Sequence, residues 1–273
     1  MKIKALALDL DGTLTDSRKE VTERTCLAVG AAIGAGIKII LASGRPLIGI
    51  KGVADRLRLF ELGGYIMACN GGQVVDCLTG ELVFERLLPI GHYAAICGLA
   101  RKHGLSALTY DGDGIVTEDE SAEYVLREAY NNALPIRKVP RLEDEIREEV
   151  VKFMVVGEPG RISGALGAFR AALGDGVNVF LSEPYFMELT SKGIDKAYAL
   201  EKLAGHLGIS RGELCGIGDG HNDAPMLEYA GLAVAMDNAC EEIKSIADFV
   251  TLSNDEDGVA EFIFGRLLGS GGI

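Results

Sequence analysis

The sequence predicts an α/β fold: a doubly wound, Rossmann-like, mainly parallel sheet carrying an inserted α+β domain. Three observations predict it. Short, continuous apolar runs bounded by turn residues alternate with helix-length segments at both ends of the chain, as strands buried on both faces do. Three of those runs stop abruptly in polar clusters, namely Asp9/Asp11/Thr13, Ser43 and Asp219/Asn222/Asp223. Between these ends lies a stretch of mixed pattern in which no strand runs into such a cluster. The predicted division is therefore a core of residues 1–82 and 188–273 and an insert of residues 83–187.

The opening run, Lys4 to Leu8, ends in two carboxylates one residue apart and then Gly12-Thr13. Residues i and i+2 of a strand point the same way, so Asp9 and Asp11 address one place. In parallel sheets ligands sit beyond the carboxyl ends of the strands. Thr22 to Ala35 reads as a helix stopped by Gly36, and Ile37 to Ala42 as the second strand, running into Ser43-Gly44-Arg45-Pro46. A helix to about Leu57 and a strand from Tyr65 to Ala68 follow. Asn70-Gly71-Gly72 and Thr79-Gly80 turn the chain through a small hairpin.

After Pro89 the insert reads as helices at 90–103, 121–130 and 161–172 and strands at 105–110, 151–156, 178–182 and 186–190. Asp111-Gly112-Asp113-Gly114 reads as a hairpin turn. The first pattern then resumes. Asp195 to Leu207 is a helix ended by Gly208, Leu214 to Gly218 is a strand, and Leu232 to Ala235 is another. Helices at 224–229, 240–245 and 259–268 and a short strand at 249–250 complete the core, and the Gly269-Ser270-Gly271-Gly272 tail is expected to fray.

Composition excludes several classes. With 273 residues and a formal charge of −13, the chain shows no Lys/Arg-rich patch able to track nucleic-acid phosphates. No apolar stretch reaches membrane-spanning length, and the charged N-terminus lacks a signal-peptide layout. Six scattered cysteines with no C-x-x-C pair read as reduced thiols of a cytoplasmic protein, a monomer or small homo-oligomer. An anionic substrate would have to be drawn by local cations against this global charge.

Brought to one sheet edge, the polar clusters form a pocket of several carboxylates, a hydroxyl and an ammonium from Lys192 or Lys196. Packed carboxylates repel unless a cation joins them. Oxygen donors without a His or Cys cluster select a hard ion, Mg2+ first. Two other motifs fail. Asp9, Asp11 and Glu20 fall at positions 1, 3 and 12 of an EF-hand loop, but Leu14 occupies the place that needs glycine. Gly216-Ile217-Gly218-Asp219-Gly220 lacks dinucleotide-loop spacing. His221, inside the acidic loop, reads first as a solvated loop residue and second as a contact to metal or substrate.

The residues Asp9-Leu10-Asp11-Gly12-Thr13-Leu14, Ser43-Gly44-Arg45, Lys196 and Gly218-Asp219-Gly220-His221-Asn222-Asp223 resemble, in order, the four motifs of the haloacid dehalogenase superfamily. Asn70-Gly71, the stretch 195–200 and Ala235-Met236-Asp237-Asn238-Ala239 resemble its Cof-type phosphatases, which carry a large inserted α/β cap. The resemblance implies a Mg2+-dependent phosphatase acting on small phosphomonoesters such as sugar phosphates or pyridoxal phosphate. Asp9 would be the nucleophile and a metal ligand. Asp11 would be the acid/base, its carbonyl also reaching the metal. Asp219 and Asp223 would hold the metal, Asp223 through its waters. Lys196, chosen over Lys192 on the motif, would bind phosphoryl oxygens with Thr13, Ser43, Gly44 and Asn222. The cap would select the substrate. Two other readings share the chemistry: a phosphomutase, which usually carries a small helical cap, and a phospho-accepting receiver, which lacks an insert of this size.

Overall fold

The computed structural model describes residues 2–269, so of the tail expected to fray all but Gly269 lies outside the described residues. Contacts divide the chain into two compact units. One comprises the residues up to Phe84 together with those from Asp195 onward, and the other is Glu85–Ile194.

The strands, in chain order, are β1 (Ala5–Leu8), β2 (Lys38–Ala42), β3 (Tyr65–Ala68), β4 (Gln73–Asp76), β5 (Leu82–Glu85), β6 (Ser106–Tyr110), β7 (Ile115–Thr117), β8 (Ile136–Lys138), β9 (Lys152–Val156), β10 (Val177–Glu183), β11 (Phe186–Ser191), β12 (Leu214–Gly218), β13 (Leu232–Ala235) and β14 (Phe249–Val250). The first unit is built on an eight-stranded sheet of order β14-β13-β12-β1-β2-β3-β4-β5. Pairing is parallel from β14 to β3 and antiparallel between β3 and β4. All four residues of β1 are fully buried, which is why an unbroken apolar run can sit there.

The strand order places the site. The chain leaves β1 toward β2 on one side, whereas β12 lies on its other side and leads away to β13. Loops that diverge in this way open a crevice at the carboxyl edge. Register aligns the three ends, with Leu8 opposite Ile217 on one flank and Leu41 on the other. Helix Lys196–Leu207 covers one face, packing Ala199, Leu200 and Leu203 against Ala5, Ala7 and Ile40. Asp195 caps that helix by accepting the Tyr198 N–H at 2.7 Å, and Gly208, at φ 64°, ends it.

The second unit holds a six-stranded sheet of order β10-β11-β9-β6-β7-β8, antiparallel except for the β7–β8 pair. Helices Tyr93–Lys102 and Pro159–Leu173 pack on one face through Ile96, Cys97, Ile162 and Phe169. Helix Glu123–Asn132 lies on the other, with Val125 and Ala129 against Leu108 and Met154. The unit runs to Ile194, past the expected boundary at 187/188. That boundary falls inside β11, which pairs along its length with β10 and from Phe186 to Thr190 with β9, and so cannot be shared with the core. No helix among the described residues is long and apolar enough to cross a membrane.

One ion network in this unit has a pH consequence. Arg101 donates to Glu143 at 2.6 Å and to Glu118 at 2.7 Å, and Arg141 donates to Glu143 at 2.6 Å. The Arg101 hydrogen bond, against partial burial, holds the Glu143 carboxyl far below its ordinary range. A depressed carboxyl contributes stability that is present above its unfolded pKa of about 4.3 and is lost as pH falls toward the folded value. Glu143→Gln should therefore flatten the acid limb of a stability-versus-pH curve below about pH 4.3. Urea titrations at stepped pH check this, and an unchanged slope would contradict it.

Candidate active site

Asp9 is the first residue beyond β1. Its N–H donates to the Ile217 carbonyl at 3.0 Å, continuing the ladder, and the residue is only 5 % exposed. The chain then curls back, with the Thr13 N–H on the Leu10 carbonyl at 3.3 Å and the Leu14 N–H on the Asp9 carbonyl at 3.2 Å. Gly12 makes that curl at φ +88°, and a Cβ there would collide with the Asp219 carboxylate. Glycine is thus required twice at this position, for conformation and for close approach.

Lys196, in the first turn of its helix, is 0 % exposed. Its Nζ donates to Asp9 Oδ1 at 2.6 Å and to Asp223 Oδ1 at 2.5 Å. The other oxygen of Asp223 accepts the N–H groups of Asp219 at 3.0 Å and Gly220 at 2.9 Å. Asp223 is therefore a buttress that closes the loop after β12 while it anchors the ammonium. Thr13 Oγ1 donates to Asp219 Oδ1 at 2.7 Å, joining the loops after β1 and β12. One carboxylate oxygen from each of Asp9, Asp219 and Asp223 lies within 4.8 Å of the others.

The electrostatics follow from three carboxylates sharing one ammonium. Burial, reinforced by Asp223 and Asp219 and opposed by Lys196, holds the Asp9 carboxyl well above its ordinary range. Burial likewise pushes Asp219 up to about 6, against the Thr13 hydrogen bond. Burial alone would discharge Lys196, but Asp223 and Asp9 outweigh it and hold the ammonium above its usual pKa.

Asp11 is placed differently. Its carboxylate is 43 % exposed and forms a bidentate pair with Arg45, Nε to Oδ2 at 2.7 Å and Nη2 to Oδ1 at 2.5 Å. Lys19 stands 3.6 Å away. Partial burial raises the Asp11 pKa, but the Arg45 hydrogen bonds and charge, with Lys19, outweigh it and hold the carboxyl below its ordinary value. The carboxylate of Asp11 is thus outside the cluster of three.

The haloacid dehalogenase-like hydrolase profile matches residues 6–263. The chain belongs to this family. It is similar to a haloacid dehalogenase-like hydrolase from Bacteroides thetaiotaomicron, at 44 % identity and TM-score 0.94 over 96 % of this chain and 98 % of the other. It is similar to a subclass IIB sugar phosphatase of the superfamily, at 26 % identity and TM-score 0.80 over 94 % and 96 %. It is also 28 % identical to the Bacillus subtilis (strain 168) 5-amino-6-(5-phospho-D-ribitylamino)uracil phosphatase, over 96 % of this chain and 94 % of that protein. It is a phosphatase of the haloacid dehalogenase type.

The remaining predicted residues of this hydrolase lie in the loops after β2 and β12. Ser43, 2 % exposed, accepts the Arg45 N–H at 3.1 Å through Oγ, a loop-closing bond. Asn222 is exposed and its Nδ2 donates to Asn70 Oδ1 at 3.1 Å. A Cβ on Gly44 would lie 3.2 Å from Asn70 Nδ2, so the smallest residue admits the asparagine. Asn70 itself sits at φ 54°, with its N–H on the Ser43 carbonyl at 2.9 Å. Asn238 Nδ2 donates to the Gly12 carbonyl at 2.8 Å. Arg45, Asn70 and Asn238 carry this geometry without having been assigned roles from sequence. Their signal was only the Asn-Gly turn and the motif neighbours. Lys192 is exposed and belongs to the inserted unit.

Proposed function

We propose that this hydrolase cleaves small phosphomonoesters, sugar phosphates and similar metabolites such as pyridoxal phosphate, with Mg2+ and through an aspartyl-phosphate on Asp9. The observation that carries the reading is the Asp9 carboxylate, pinned by a buried lysine beside two further carboxylates. An all-oxygen donor set with more negative than positive charge fits a hard divalent ion. Asp9 and Asp219 would hold that ion, with the Asp11 carbonyl, and Asp223 would orient its waters. When bound, Mg2+ would neutralise phosphoryl charge and align phosphorus with Asp9.

The residues then divide the work. Lys196 fixes Asp9 and offers its ammonium to a phosphoryl oxygen, aided by Thr13, Ser43, the Gly44 backbone and Asn222. An Asp9 oxygen bonds to phosphorus as the ester oxygen leaves, and that oxygen takes a proton from Asp11. Water then attacks phosphorus, giving a proton back to Asp11 and releasing phosphate and free Asp9. In the arrangement described, Asp11 is held ionised by Arg45, so this pair must open before Asp11 can carry a proton. The insert chooses the leaving group. The acidic chain works in the cytoplasm as a monomer or small oligomer, on a phosphorylated metabolite rather than nucleic acid or membrane.

Phosphate release from p-nitrophenyl phosphate and a panel of phosphorylated metabolites tests this. Turnover with millimolar Mg2+, abolished by EDTA and restored by Mg2+, is expected. No release from any ester under these conditions would overturn the reading.

A further inference from the structure

A second constellation of metal-ligating side chains lies beside the first and uses none of its residues. His221 follows Gly220 in the loop after β12, and Cys240 and Glu242 follow β13. The two ring nitrogens of His221 face different partners. Nε2 is 3.9 Å from Cys240 Sγ, and Nδ1 is 3.6 Å from Glu242 Oε2. One ligand atom of each of the three lies within 4.8 Å of the others, and all three residues are exposed. Zinc ligands at about 2.0–2.3 Å and tetrahedral angles stand roughly 3.5 Å apart, so small side-chain rotations suffice.

The contrast with two other clusters sharpens the assignment. Asp9, Asp219 and Asp223 offer only oxygen, which suits a hard ion. Cys97, Glu118 and Glu143 also converge, but Arg101 and Arg141 already occupy those carboxylates. Sulfur, imidazole nitrogen and carboxylate together select a borderline-soft ion, and among the described residues no arginine or lysine side chain is paired with the side chain of His221, Cys240 or Glu242, since the Lys244 ammonium reaches Asp237 and Glu241 instead.

We propose that Cys240, His221 and Glu242 form a binding site for a zinc-class divalent ion, distinct from the oxygen cluster, that restrains the catalytic loop when filled. Cys240 binds as thiolate, its proton passing to solvent, and His221 binds as neutral imidazole. His221 opens the single turn His221–Asp223 that carries the buttress Asp223. Cys240 lies two residues beyond Asn238, which donates to the Gly12 carbonyl at 2.8 Å and accepts the Asn254 N–H at 3.0 Å. A bound ion therefore cross-links the loops after β12 and β13, both of which touch the loop after β1. Only the inhibitory consequence rests on the proposed phosphatase activity.

Titrating the reduced full-length chain with Co2+ tests the site without reference to activity. A thiolate-to-Co2+ charge-transfer band in the near ultraviolet is expected, because the oxygen cluster cannot produce one. It should vanish in Cys240→Ser and need about 10–100-fold more Co2+ in His221→Gln and Glu242→Gln. Absence of the band, or its persistence in Cys240→Ser, would overturn the proposal. In a second arm, micromolar Zn2+ added over saturating Mg2+ should inhibit wild-type turnover at least about 10-fold more strongly than Cys240→Ser. Equal inhibition of the two would overturn the restraint while the Co2+ band still decided the site.

Discussion

Asp9→Asn is expected to lower turnover of p-nitrophenyl phosphate at saturating Mg2+ by at least about 1,000-fold. The amide is nearly isosteric, but it cannot bond to phosphorus as a carboxylate does. The same substitution should leave the protein as stable as before, or more stable. Burial is the largest influence on Asp9 and raises its carboxyl pKa, so the charged form is costly in the metal-free protein. A raised carboxyl favours the folded state at low pH, and this contribution is lost as pH rises through the folded pKa. The gain from Asn should consequently be larger at pH 8 than at pH 4. Lys196 keeps its second partner, Asp223, in the variant. Turnover assays and metal-free thermal unfolding at the two pH values check both halves. Activity within 10-fold of wild type would remove Asp9 as nucleophile, and a large fall in Tm would contradict the electrostatic account. Loss of activity with retained or increased Tm is the signature of a site whose strain serves function.

The parts of this site that were legible in the sequence are those fixed by short-range rules. Asp9 and Asp219 follow buried strands directly, so the end of an apolar run locates them. Lys196 is placed by the Asp195 cap, which starts the helix one residue earlier and turns the lysine inward. The family motif chose Lys196 over Lys192, and the geometry supplies the reason, since only Lys196 is buried between carboxylates. What was illegible depends on side chains meeting across long separations. The Asp11–Arg45 pair joins residues 34 positions apart, and its geometry belongs to rotamers rather than to pattern. In the insert, β8 is three residues long and stands between Pro135 and Pro140. Prolines ordinarily demote such a run to loop, and only its parallel pairing with β7 makes it a strand. The boundary after β11 was hidden for a related reason. Phe186–Ser191 is buried throughout, so its composition looks the same whichever sheet it joins.

Lys196→Met should separate charge balance from catalysis. Methionine fills similar volume, but its thioether leaves Asp9 and Asp223, both nearly fully buried, facing each other without a cation. Breaking a buried ion pair by removing one partner costs about 3–5 kcal/mol. At neutral pH and without metal, Tm should fall by roughly 6–20 °C, given about 2–4 °C per kcal/mol for domains of this size. Lowering the pH should recover part of the loss, because protonation relieves the repulsion. Wild-type Asp9, Asp219 and Asp223 share one ammonium, and the variant has three carboxylates and none. A divalent cation should therefore bind the variant more tightly, and millimolar Mg2+ should raise its Tm by more than it raises that of the wild type. Turnover should nonetheless stay at least about 100-fold down, since the bound metal cannot replace an ammonium aimed at a phosphoryl oxygen. The informative outcome is the opposition of the two readouts, tighter metal and slower chemistry. If the Mg2+-induced rise in Tm instead shrank together with turnover, Lys196 would act by maintaining the metal site, and its proposed contact with the phosphoryl group would be wrong.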